Sequence, residues 1–118
     1  MNERRRVDVN ILEGCSQRRL APGLAWLHEP AEWSVGPGGL SMRTDRKCDY
    51  FRPRVGEARD DAPLLYTRLR GDFAVTASLT AVLANTFDAG GLLVRGSAEE
   101  WAKLCIERGV RGETKVVS

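Results

Sequence analysis

A strict two-residue alternation between Asp72 and Ala84 constrains the fold more than any other feature of the chain. Phe73, Val75, Ala77, Leu79, Ala81 and Leu83 fall on one face of an extended backbone, and Thr76, Ser78 and Thr80 fall on the other. Helical winding would scatter these side chains around the axis, so the segment predicts a strand with one face on a core. Short alternating or apolar runs recur from Gly23 onward, broken by turn residues, which is the rhythm of a sandwich or barrel. Gly36-Pro37-Gly38-Gly39, followed by Leu40-Ser41-Met42-Arg43-Thr44, reads as a hairpin. The expected fold class is all-β, an antiparallel β-sandwich.

At 118 residues the chain holds at most one ordinary domain, and 42% hydrophobic with 29% charged residues is a soluble globular composition. Residues 1–22 carry five arginines against three acids, which accounts for the whole net charge of +2. They read as a basic leader, poorly ordered or a short helix, ahead of a domain over 23–118. A neutral folded body lacks the basic stripe that supplies phosphate affinity, so nucleic acid is not an expected partner. The Arg4-Arg5-Arg6 triplet reads as a solvated terminus. Cys15, Cys48 and Cys105 are odd in number and contain no C-x-x-C pair, which speaks against a disulfide framework and a zinc site. With no signal peptide and no apolar run of membrane length, the expectation is a soluble cytoplasmic protein, with no membrane partner and no cofactor.

Two further runs carry the candidate site. Gly90 to Arg95 and Glu100 to Arg108 read as antiparallel neighbours. On the second, Ala102, Leu104 and Ile106 form one face, expected to be core, and Trp101, Lys103, Cys105 and Glu107 form the other. Arg95 is expected to lie close to Lys103 or Glu107, beside an indole. Such a group reads in two ways: as a cross-strand charge ladder of about 0.2–1 kcal/mol, or as a platform where a sugar ring stacks on the indole while its hydroxyls meet polar groups. The ladder is the more ordinary arrangement.

No catalytic constellation stands out. His28 has no triad pattern around it, and Gly36-Pro37-Gly38-Gly39 lacks the lysine of a phosphate loop. Asp60-Asp61 and Glu99-Glu100 are adjacent pairs, which point to opposite faces in a strand. Glu107 has no same-face carboxylate within its strand to share a glycosidic bond.

Five motifs in register resemble one family. Trp26-Leu27-His28-Glu29-Pro30 with Trp33 resembles the W-x-N-E-P…W opening of the regulation-of-enolase family. Cys48-Asp49-Tyr50-Phe51-Arg52 is similar to its T-D-F-W-R, and Gly71-Asp72-Phe73 to its G-D-F. Phe87-Asp88-Ala89-Gly90-Gly91-Leu92-Leu93-Val94-Arg95 is similar to Y-D-Q-A-G-L-M-V-R, and Trp101 to Glu107 to W-x-K-x-G-x-E. The resemblance implies a concanavalin A-like jelly roll and leans toward carbohydrate. His28 stands for the family's Asn, and Tyr50-Phe51 for Phe-Trp. The family pattern runs on through further strands, so the resemblance implies a sandwich incomplete at its C-terminus, with an uncovered strand edge open to self-association.

The function expected is a non-catalytic module binding carbohydrate through Arg95, Trp101, Lys103 and Glu107, with Asp88 and Arg52 as neighbours. Two alternatives stand beside it: a protein-interaction or metabolic-enzyme-regulating module, and the remnant of a glycoside hydrolase. The glutamate–aspartate–glutamate triplet of glucan-hydrolysing jelly rolls does not occur.

Overall fold

A computed structural model describes residues 8–44, 50–51, 59–86, 88–97 and 99–118. Every regular element among them is a strand and every strand pairing is antiparallel, in agreement with the all-β sandwich class. The chain divides into two compact units, residues 1–70 and 71–118.

The first unit contains β1 (Ala25–Leu27), β2 (Glu32–Gly36), β3 (Gly39–Arg43), β4 (Tyr50–Phe51), β5 (Arg59–Asp60) and β6 (Leu64–Tyr66). The expected hairpin is present: Gly36 pairs with Gly39, leaving Pro37-Gly38 as a two-residue turn, and Gly39 adopts a φ of 110° that a side chain would resist. Alternation puts Trp33 and Val35 on one face opposite Met42 and Leu40, and these two residues are the buried heart of the unit at 7% and 6% exposure. β1 pairs with β6, with Trp26 opposite Leu65, and the Trp26 ring lies 5.3 Å from the Trp33 ring at a tilt of 56°. That tilted contact joins the β1–β6 and β2–β3 ladders through their largest apolar side chains.

The later part of the leader is tied to this unit. Gln17 exchanges two 2.7 Å backbone hydrogen bonds with Val35, extending the β2 edge by one bridge. Arg18 stacks its guanidinium 5.4 Å over Trp33, donates to the Ala31 carbonyl at 3.2 Å and lies 3.7 Å from the Glu29 carboxylate. An amphipathic arginine, charged at its tip and planar over an indole, thus fixes a segment that net charge alone assigns to solvent.

The second unit is a three-stranded sheet ordered β7 (Ala89–Arg95), β8 (Trp101–Arg108), β9 (Thr114–Val117). Residues 72–84, the strongest strand pattern in the sequence, form no ladder among the described residues. The correction has a physical reason: a period of two makes a segment competent to pair, but a strand exists only when a neighbour accepts its N–H and C=O groups, and isolated extended segments are marginal in water. The segment is held at its end instead. Arg108 Nη1 donates to the Leu83 and Ala84 carbonyls at 3.1 and 2.7 Å, while Phe73, Val75 and Leu79 stay about half exposed.

Candidate functional site

β7 and β8 pair over their full shared length, and their register decides which predicted site residues meet. Arg95 opposes Trp101, Leu93 opposes Lys103, Gly91 opposes Cys105 and Ala89 opposes Glu107. β9 adds Lys115 opposite Glu107 and Val117 opposite Cys105. The two faces expected of β8 are therefore present as drawn: Trp101, Lys103, Cys105 and Glu107 on one, Ala102, Leu104 and Ile106 on the other.

The burial of those faces is the reverse of the expectation. Cys105 and Glu107 are 6% and 9% exposed, whereas Leu104, expected in the core, is 54% exposed and Val116 beside it 73%. Apolar character makes a face fit for burial, but a sheet has two faces. The ionic one here also carries an indole and a thiol, and its lysine and glutamate have aliphatic stems that bury readily.

Arg95 and Glu107 do not converge. They stand six positions apart along β8, about 20 Å at ~3.3 Å per residue. Arg95 and Lys103 are diagonal neighbours around the Arg95–Trp101 pair, within roughly 7–8 Å. The site that the register builds is thus Arg95, Trp101 and Lys103, all half-buried, at the hairpin end of the sheet. Glu107 lies at the other end, where no hydrogen bond or ion pair holds its carboxylate among the described residues.

The connecting loop fixes the arginine. Gly96 donates to the Glu100 carbonyl at 2.8 Å, and the Ser97 hydroxyl accepts the Glu99 and Glu100 amides at 3.2 and 3.1 Å. The Ser97 carbonyl in turn accepts Arg95 Nε at 3.0 Å. Ser97, absent from the sequence-derived site, was signalled by a serine placed three residues before Glu100, a pattern that closes turns.

Asp88 has a structural assignment. Its Oδ2 accepts the Ala84 and Asn85 amides at 3.0 and 2.8 Å, and its backbone carbonyl accepts the Arg108 amide at 2.9 Å. It closes the turn into β7 rather than standing with Trp101, from which the register separates it by most of the strand. Arg52 lies outside the described residues, as does Cys48. Arg108 and Lys115 were missed by sequence reasoning, because the position of β9 follows from a pairing that no local pattern announces.

Gly91 is required by close approach. A Cβ built there would fall on the Leu104 carbonyl oxygen and 2.6 Å from Cys105 Cβ. Among the described residues, no group of three or more His, Cys, Asp or Glu side chains is placed to hold a metal ion, and no helix is long and apolar enough to cross a membrane.

A family model described as "Protein of unknown function (DUF1349)" matches residues 26–118. No curated protein and no solved structure matches the chain.

Proposed function

The chain belongs to the DUF1349 family, whose fold is concanavalin-like, and from that premise we propose that it is a non-catalytic module that binds carbohydrate on the Arg95–Trp101–Lys103 end of the β7–β8 sheet. The observation that carries the reading is the register. It pairs the half-buried Trp101 with Arg95 across the two strands, with Lys103 diagonal to Arg95 and all three on one face. An indole offers a flat apolar surface for the C–H face of a pyranose, and adjacent fixed donors meet its hydroxyl oxygens. The nearly buried Glu107 lies too far along the strand to share that ring, and its direct cross-strand neighbours on the same face are Ala89 and Lys115, which gives no paired carboxylates for glycoside hydrolysis.

Calorimetric titration of the full chain with a glycan panel tests this. A saturable isotherm that Trp101→Phe retains and Trp101→Ala loses supports it; no heat with any glycan at millimolar concentration sinks it.

The opposite face favours a second reading. Val94, Leu104 and Val116 stand 50%, 54% and 73% exposed on a side of the sheet with no charged residue between them, the character of a protein-binding surface. Modulation of a metabolic enzyme, in keeping with the resemblance of the Trp26 to Trp33 motif to regulation-of-enolase proteins, belongs to this reading. So does self-association through the outer edges of β7 and β9. The cysteine usage supports a reducing, cytoplasmic setting, with Cys15 forming no disulfide.

A further inference from the structure

We infer that the sugar taken at this site is an acidic one, a uronic acid or an oligomer of it, whose carboxylate is received by the guanidinium of Arg95 while its ring lies on Trp101. The inference rests on the carbohydrate reading above and names its ligand class.

The arginine is half immobilised before any ligand arrives. Its Nε is committed to the Ser97 carbonyl at 3.0 Å, in a loop closed by the Ser97 hydroxyl on two further amides. No hydrogen bond or ion pair among the described residues takes its two terminal amino groups. A guanidinium anchored through Nε presents Nη1 and Nη2 as a planar fork, the geometry that matches both oxygens of a carboxylate and exceeds what a neutral hydroxyl can use. Anchoring also lowers the side-chain entropy lost when the ligand binds.

Charge around the fork agrees. Of the two acidic residues predicted for the site, Glu107 is six strand positions away, and Asp88 lies at the same far end, beside Arg108, with its Oδ2 on the Ala84 and Asn85 amides. Glu100 follows the strand alternation to the opposite face, where its carboxylate oxygen lies against Gly96, 3.5 Å from where a Cβ would stand. Glu99 sits in the turn with its amide on Ser97. A site built for neutral sugars alone would be expected to pair its indole with amides and carboxylates that read hydroxyl hydrogens. Here the directly opposed residue is a cation, which can only donate.

The test compares an oligogalacturonate with the same oligomer fully methyl-esterified, which keeps ring and length and removes the charge, by calorimetry on the full chain. Acetate serves as an anion without a ring. The acid oligomer is expected to bind at least about tenfold tighter than the ester, with an advantage that shrinks as salt rises. Arg95→Gln should abolish the difference, and Arg95→Lys, which keeps the charge but not the fork, should retain only part of it. Circular dichroism of each variant confirms that it is folded. Equal binding of acid and ester, or an acid preference that survives Arg95→Gln, overturns the inference and leaves the carbohydrate reading standing. Binding of acetate as tight as that of the oligomer also overturns it, since the ring would then contribute nothing. Absence of binding by acid and ester together with a neutral glycan that does bind refutes the acidic class alone; silence of the whole panel refutes both.

Discussion

His28 holds its backbone at a φ of 58°, in the left-handed region where a β-branched side chain clashes with its own carbonyl. Asparagine tolerates that conformation best after glycine, which gives a physical reason for the Asn that the resembling family motif places here. His28→Asn is therefore expected to keep stability within about 0.5 kcal/mol, while His28→Val costs about 1–2 kcal/mol in chemical denaturation. Gly91 is the other backbone-determined position. Gly91→Ala should destabilise by about 1–3 kcal/mol, because the new methyl meets a carbonyl and the Cβ of Cys105 inside a ladder that cannot open locally. Asp88 acts through hydrogen bonding: Asp88→Ala, which strips two amides of their acceptor, should cost about 1–2 kcal/mol, and Asp88→Asn much less. A Gly91→Ala or Asp88→Ala protein as stable as the parent would show that these contacts do not form. Asp88, Gly91 and the residues of the Trp26 to Trp33 motif thus have structural duties, so the motif resemblance reads as a fold signature at those positions rather than as a list of ligand contacts.

At the scale of elements, β8 is the best-connected strand, paired on both sides, and residues 72–84 are the least connected. Hydrogen exchange should follow that difference. Amides of β8 at 104–107 are expected to be among the slowest in the unit and those of 73–82 to exchange orders of magnitude faster; equal protection in the two segments would contradict the pairing. The comparison also explains what could be read from sequence. The β2–β3 hairpin was legible because a proline-glycine turn fixes its own register, and β7–β8 because an apolar run and an alternating run flank a short polar loop. Face membership along β8 was legible for the same reason, since alternation is local. Which face becomes covered was not, nor was the fate of 72–84, because both depend on partners distant in sequence. The site changed accordingly: the alternation put Trp101, Lys103 and Glu107 on one side, but only the register showed that Arg95 meets the first of them and stands far from the last.

For the whole molecule, the sheet of the second unit presents two unlike faces, one apolar and open along Val94, Leu104 and Val116, the other carrying the indole and the guanidinium. The apolar face should govern association. Leu104→Glu is expected to lower the concentration-dependent sedimentation of the chain while changing its stability by less than about 1 kcal/mol, as a half-exposed side chain allows. The other face should govern ligand binding, and an amide and indole shift map taken during glycan titration of the full chain tests that division most directly. The account predicts changes concentrated on Arg95, the Trp101 ring N–H and Lys103, with Ala102 and Val116 unmoved. Shifts centred on Leu104 and Val116, or a spectrum unchanged at saturating glycan, would contradict it.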